Sequence, residues 1–176
     1  ALKPMSRQAF ITEITRDVPE TPRYYLHSRD LNKAGPALDA DRPMPPSLTP
    51  AQCAEQSRIG ALLLDTRPAA VFALAHPVGA LNVSLDGQFA SWVGTLVRPD
   101  QLLVLIAEAG RAEEAVLRLA RVGYENIVGV FDGDVGRWGA EGLPLGQLNG
   151  VSCESWREAG RRVLDVRRIR EWDDFH

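Results

Sequence analysis

The chain has 176 residues, 45% hydrophobic and 24% charged, enough apolar material for one core of ordinary size plus appended segments. A formal net charge of −3 excludes the clustered cationic surface that phosphate backbones require, so no nucleic-acid partner is expected. No apolar run reaches the roughly 18 residues of a membrane span, and the amino end lacks a signal-peptide pattern; no membrane partner and a cytoplasmic location are expected.

Residues 1–35 read as a separate helical segment. Ser6 can cap a helix in which Phe10, Ile11 and Ile14 share a face, with Met5 placed to staple against Phe10. A second helix, Tyr24 to Ala34, stops at Gly35-Pro36. So short a pair cannot bury its own apolar face, so it must pack on something else: either it extends the domain that follows, or it is the tail of a preceding one. Five prolines then fall between Pro36 and Pro50, which marks a stiff, extended linker over 36–47.

From residue 48 onward, strands and helices alternate. Thr49 or Ser47 can open a short helix running through Cys53 to Ser57. Ala61 to Thr66 reads as a strand. Pro68 permits a helix from about Ala69, with Val71 and Phe72 turned inward, ending before His76-Pro77. Leu81 to Val83 is a short strand and Phe89 to Leu96 a helix. Leu102 to Ala107 is an uninterrupted apolar run, as expected of a central strand covered on both faces. The helix after it is marked by Ala112, Ala115, Val116, Leu119 and Val122 at helical spacing, with Gly123 as its stop. Asn126 to Phe131 is a further strand. In the closing segment, Val135 to Leu145, Trp138 reads as a core anchor rather than a ligand platform. This order predicts an α/β fold with a mainly parallel central sheet and helices on both faces.

The loop Ala107-Glu108-Ala109-Gly110-Arg111-Ala112 joins the carboxyl end of a strand to the amino end of a helix. α/β proteins collect anions and place nucleophiles at such junctions. This loop holds no nucleophile.

A shift of 100 positions aligns Cys53 with Cys153, Gly60 with Gly160, Leu64 with Leu164, Asp65 with Asp165, Arg67 with Arg167 and His76 with His176. Six identities in 24 positions is well above chance, so residues 149–176 read as the truncated start of a second repeat. Two cysteines cannot form a disulfide framework. Each sits in the first helix of its unit, where a small buried residue is the ordinary explanation and a nucleophile would be oddly placed. Glu154, Glu158 and Asp165 interleave the arginines between Arg157 and Arg170, which makes that stretch a solvated face.

Leu64-Asp65-Thr66-Arg67, Phe72, His76-Pro77-Val78-Gly79-Ala80 and Asn82 together resemble the signature of rhodanese-like domains. Gly110-Arg111-Ala112, Leu119, Gly123-Tyr124, Asn126, Gly133, Trp138, Gly142 and Pro144 continue it in order. The resemblance covers 48–148 and implies a rhodanese-like fold. In active members a cysteine thiolate ends the central strand and takes up sulfane sulfur, while backbone N–H groups of the loop stabilise the persulfide. The matching position here is Ala107, so the resemblance implies a loop without its reacting atom and no catalytic residue in this chain. Asp65, Arg67, His76, Gly79 and Trp138 then carry structural roles; a triad of Asp65, Arg67 and His76 is the weaker alternative.

Leu2 to Met5, Asn32 to Pro36 and Gly123 to Asn126 further resemble proteins in which a metallo-β-lactamase-fold domain precedes two rhodanese-like domains. Members of that group resemble persulfide dioxygenases and hydroxyacylglutathione hydrolases. The resemblance implies that residues 1–35 end such a domain, that Fe or Zn belongs to it and no cofactor to this chain, and that the partners are neighbouring domains of a longer protein, with homo-oligomerisation open. The chain itself is then a catalytically inactive docking module. The alternative is an active sulfurtransferase using Cys53 or Cys153.

Overall fold

The computed structural model describes residues 4–16, 23–35, 43–159, 162, 164–165, 167 and 169–174. Residues 36–42 of the linker, Gly160, Val163 and His176 of the repeat, and Leu2 and Lys3 lie outside the described residues, as does the side chain of His27.

Among the described residues, three helices precede β1 (Leu62–Asp65), two of them ahead of the linker. α1 (Arg7–Thr15) starts at Ser6, whose hydroxyl accepts from the Ala9 amide, and it buries no residue; Met5 and Phe10 are both largely exposed. α2 (Arg23–Ala34) packs against α5 (Phe89–Leu96). The ring of Tyr24 covers Gly94, where an added Cβ would lie 2.3 Å from its Cδ1. Ser28 Oγ donates to the Val122 carbonyl at 3.3 Å.

The central sheet is parallel, in the order β3 (Leu81–Asn82), β1 (Leu62–Asp65), β4 (Leu103–Ile106), β5 (Ile127–Phe131). At its outer edge, Ser47 bridges Val130 in parallel; Val130 N–H donates to Pro46 O at 2.9 Å and Leu48 N–H to Val130 O at 2.8 Å. The last linker residues thus extend the sheet. Prolines suit that place, because an edge segment needs donors on one side only.

Thr49, not Ser47, opens α3 (Pro50–Arg58). Its hydroxyl accepts from the Gln52 amide and the Gln52 side chain accepts from Thr49 N–H, a reciprocal capping box with Pro50 in the first turn. α4 (Ala69–Leu74) buries Phe72, while Val71 turns outward, against the expectation that both face in. A six-residue helix has room for a narrow apolar stripe, and Phe72 takes it.

Alternation along the strands divides the interior in two. Leu64, Leu103, Leu105 and Ala107 point into a core shared with Phe89, Val93 and Val97 of α5, and Ala112, Ala115 and Leu119 of α6 (Ala112–Ala120). Leu63, Val104 and Ile106 point the other way, onto Cys53 of α3, Phe131 and Trp138 of α7 (Gly136–Ala140). Helices therefore cover both faces of a parallel sheet.

One pairing was not legible in the sequence. β2 (His76–Pro77) and β6 (Leu145–Gly146) form an antiparallel ladder apart from the central sheet, tying the end of α4 to the chain after α7. Two-residue strands are too short to show a period. Beyond the domain, α8 (Cys153–Glu158) is capped by Ser152, and α9 (Ile169–Asp174) follows.

Candidate functional site

The Ala107–Ala112 loop leaves β4 at the carboxyl edge of the sheet and enters α6. Ala107 is still part of the sheet: its N–H donates to Phe131 O at 2.9 Å, and its methyl lies in the α5–α6 core, fully shielded from solvent. Glu108, Ala109, Gly110 and Arg111 then make a tight turn, closed by the Arg111 N–H donating to Glu108 O at 3.0 Å. Gly110 sits at φ +78°, the left-handed conformation that the third turn residue needs when the turn is type II. The loop is thus a closed four-residue turn. No side chain caps the helix that follows.

Acidic side chains surround it. Arg111 Nη1 lies 3.1 Å from Asp86 Oδ1 and 3.8 Å from Glu108 Oε2, and Arg111 Nη2 lies 3.0 Å from Glu114 Oε2. Hydrogen bonds to Glu114 first, and then to Asp86, hold Arg111 more firmly in its charged form. Glu113 also stands in the first turn of α6. Arg118 donates to the carbonyls of Leu85 and Gly87 and covers the Phe89 ring. Asp86, Glu108, Glu113 and Glu114 against Arg111 and Arg118 is four carboxylates to two guanidiniums, a local net charge of −2. The sequence reading missed Asp86, Glu114 and Arg118; the Glu113-Glu114 pair opening the helix was the available signal.

Beside the loop lies a cleft of about 330 Å³ lined by Asn82, Ser84, Asp86, Gln88, Trp92 and Leu96.

Asp65 and Arg67 lie together at the end of β1, but form no triad with His76. Arg67 Nε and Nη2 both bind the Asp65 carboxylate, with Nη2 to Oδ2 at 2.6 Å, and the Arg67 amide donates to Asp65 Oδ1 at 3.0 Å. Both side chains are buried, and Arg67 also donates to Ala75 O. Asn82 Nδ2 donates to the carbonyls of Asp65 and Arg67, which ties β3 to the same corner. His76 makes a different set of contacts. Its Nδ1 lies 2.8 Å from Phe72 O, so it carries the proton, and its ring stacks on Phe72 with centroids 3.9 Å apart. Gly79 takes φ +85° in the turn after β2. Trp138 is buried edge-on to Phe131, its indole N–H without a hydrogen-bond partner.

Cys53 is fully buried, and desolvation pushes its thiol up from the ordinary 9.0 to about 11. Cys153 is exposed. Among the described residues, no group of three or more His, Cys, Asp or Glu is arranged to hold a metal ion. No helix among them is long and apolar enough to cross a membrane.

Comparison with known proteins agrees with this architecture. No curated protein matches the chain. Among solved structures, a metallo-beta-lactamase from Staphylococcus aureus subsp. aureus COL superposes with a TM-score of 0.59 at 22% identity, over 73% of this chain and 35% of that one. An anaerobic ergothioneine biosynthesis enzyme from Chlorobium limicola, in complex with its natural substrate trimethyl histidine, gives 0.51 at 19% identity, over 68% and 33%. A rhodanese-like domain from Anabaena sp. gives 0.50 at 18%, over 71% and 93%. At these identities the likeness is one of fold; the chain spans about a third of the first two proteins and nearly all of the third. The family model described as rhodanese-like domain matches residues 49–141, more than half of the sequence, and the chain belongs to that family.

Proposed function

We propose that this rhodanese-like unit is catalytically inactive as a sulfurtransferase and serves as a structural and docking domain within a larger sulfur-metabolism enzyme. The observation that carries this reading is Ala107. A sulfurtransferase needs a thiolate at the end of β4, exposed to a donor and surrounded by N–H groups that favour an anion. Here a methyl group stands there, inside the core, and the turn after it closes on itself. The surroundings also oppose an anion. A carboxylate about 5 Å from a bound anion costs roughly 3 kcal/mol at an effective dielectric of 20, less as solvent screens it, against the ~0.3–1 kcal/mol that a helix terminus offers.

The parent enzyme in this proposal carries a metallo-β-lactamase-fold domain and acts on persulfides or hydroxyacylglutathione thioesters, with Fe or Zn held there. Support comes from the Staphylococcus structure, whose likeness covers 73% of this chain and so reaches past the stretch matched by the family model. Neighbouring domains of that cytoplasmic protein are the partners.

The purified chain should therefore give no thiosulfate:cyanide sulfurtransferase activity, and Ala107→Cys should not create it, because the new thiol would be buried in the core. Turnover that survives a Cys53→Ser/Cys153→Ser double substitution would sink the proposal. A stable +32 Da adduct on Cys153 after thiosulfate treatment would instead favour a sulfurtransferase that uses that exposed thiol.

A further inference from the structure

Two contacts bind the segment before the rhodanese-like unit to that unit, and each sets a bulky side chain over a glycine. The Tyr24 ring lies over Gly94 in α5 so closely that an added Cβ would come within 2.3 Å of Cδ1 and 2.6 Å of Cγ. Leu48 lies over Gly129 in β5 in the same way, with an added Cβ 2.2 Å from its Cδ1 and 2.4 Å from its Cγ. Backbone bonds on both sides of Val130 reinforce the second contact, and the Ser28–Val122 hydrogen bond reinforces the first. A freely tethered helix would not need a matched hollow in the body it is tethered to. Gly94 is interior to a helix, where glycine is a poorer former than alanine, so its place there is explained by what it admits.

We propose that α2 and residues 46–48 are two straps belonging to the folded unit, the first anchored on the α5–α6 face by Tyr24 and the second on the sheet edge by Leu48. The folding unit then takes in α2 as well as the sheet and its covering helices, and the flank of α5 at Gly94 is an intramolecular interface instead of a surface open to partners. This inference does not depend on whether the Ala107 loop turns over sulfur.

Hydrogen exchange on the full chain, read by mass spectrometry, tests it. Amides of α2 should be protected in the unsubstituted chain. Tyr24→Ala should lower that protection at least tenfold while peptides covering β1 and β4 keep theirs. Alanine is the better helix former, so a loss can come only from undocking. Gly94→Ala should expel the ring and give the same local loss; if it unfolds the whole domain, Tyr24→Ala decides. Leu26→Ala, on the exposed side of α2, should change nothing. Exchange of α2 at the rate of an unstructured peptide in the unsubstituted chain, or unchanged α2 protection in Tyr24→Ala, would overturn the proposal.

Discussion

Asp65 and Arg67 make the same four contacts that Asp165 and Arg167 make a hundred residues later, with the closest at 2.6 Å in both. What differs is burial: the first pair has side-chain exposures of 0% and 8%, the second 40% and 40%. The clamp is therefore a local property of the Asp-x-Arg spacing, and its energetic weight is a property of its surroundings. Asp65→Ala leaves the Arg67 charge buried without its partner and should cost about 3–5 kcal/mol in chemical denaturation. Asp165→Ala should leave the denaturation midpoint nearly unchanged, since an exposed pair is worth little. The cysteines divide similarly. Iodoacetamide at neutral pH should label Cys153 in the native protein and Cys53 only after unfolding. Burial raises the Cys53 thiol to about 11, so between about pH 9 and 11 the unfolded chain gives up a proton that the folded one keeps. Stability should fall with rising pH across that window, by about 2–3 kcal/mol in all, and Cys53→Ala should flatten the decline.

At the level of elements, the long periodic segments were legible and the short contacts were not. β4 and α6 were marked by an unbroken apolar run and by a helical stripe ending in glycine, and both formed as read. The β2–β6 ladder was invisible, because two residues carry no pattern; it becomes evident only through His76, whose ring stacks on Phe72 and lies against Gly146. A Cβ at Gly146 would come within 2.6 Å of His76 Nε2. Gly146→Ala should force the imidazole off Phe72 and destabilise the domain by about 1–3 kcal/mol, as overpacking does. Gly146→Ala in a His76→Ala background should cost clearly less, which a double-mutant cycle would measure. The outward Val71 has the same origin: local spacing cannot tell which of two adjacent apolar residues the sheet will accept.

Across the whole molecule, the sheet brings its carboxyl ends to one edge, where Asp86, Glu108 and the acidic start of α6 gather around Arg111. That gathering joins residues 86 and 111 through the parallel crossover, so sequence spacing could not reveal it. The repeat shows the same limit from the other side. Leu64 is fully buried between β3 and β4, whereas Leu164, its equivalent at a shift of 100, is 84% exposed. A matching leucine becomes a core residue where neighbouring strands cover it, as β3 and β4 cover Leu64. By itself the sequence determined the alternating order of strands and helices, the Asp-x-Arg clamp and the lack of a thiol at position 107, all of which depend on residues near one another in the chain. Tertiary structure alone decided that Ala107 faces the core, that Asp86 joins the carboxylates around the loop, and that Tyr24 and Leu48 find their glycines. Those outcomes rest on side chains brought together from distant segments, and only the folded sheet and its covering helices set which ones meet.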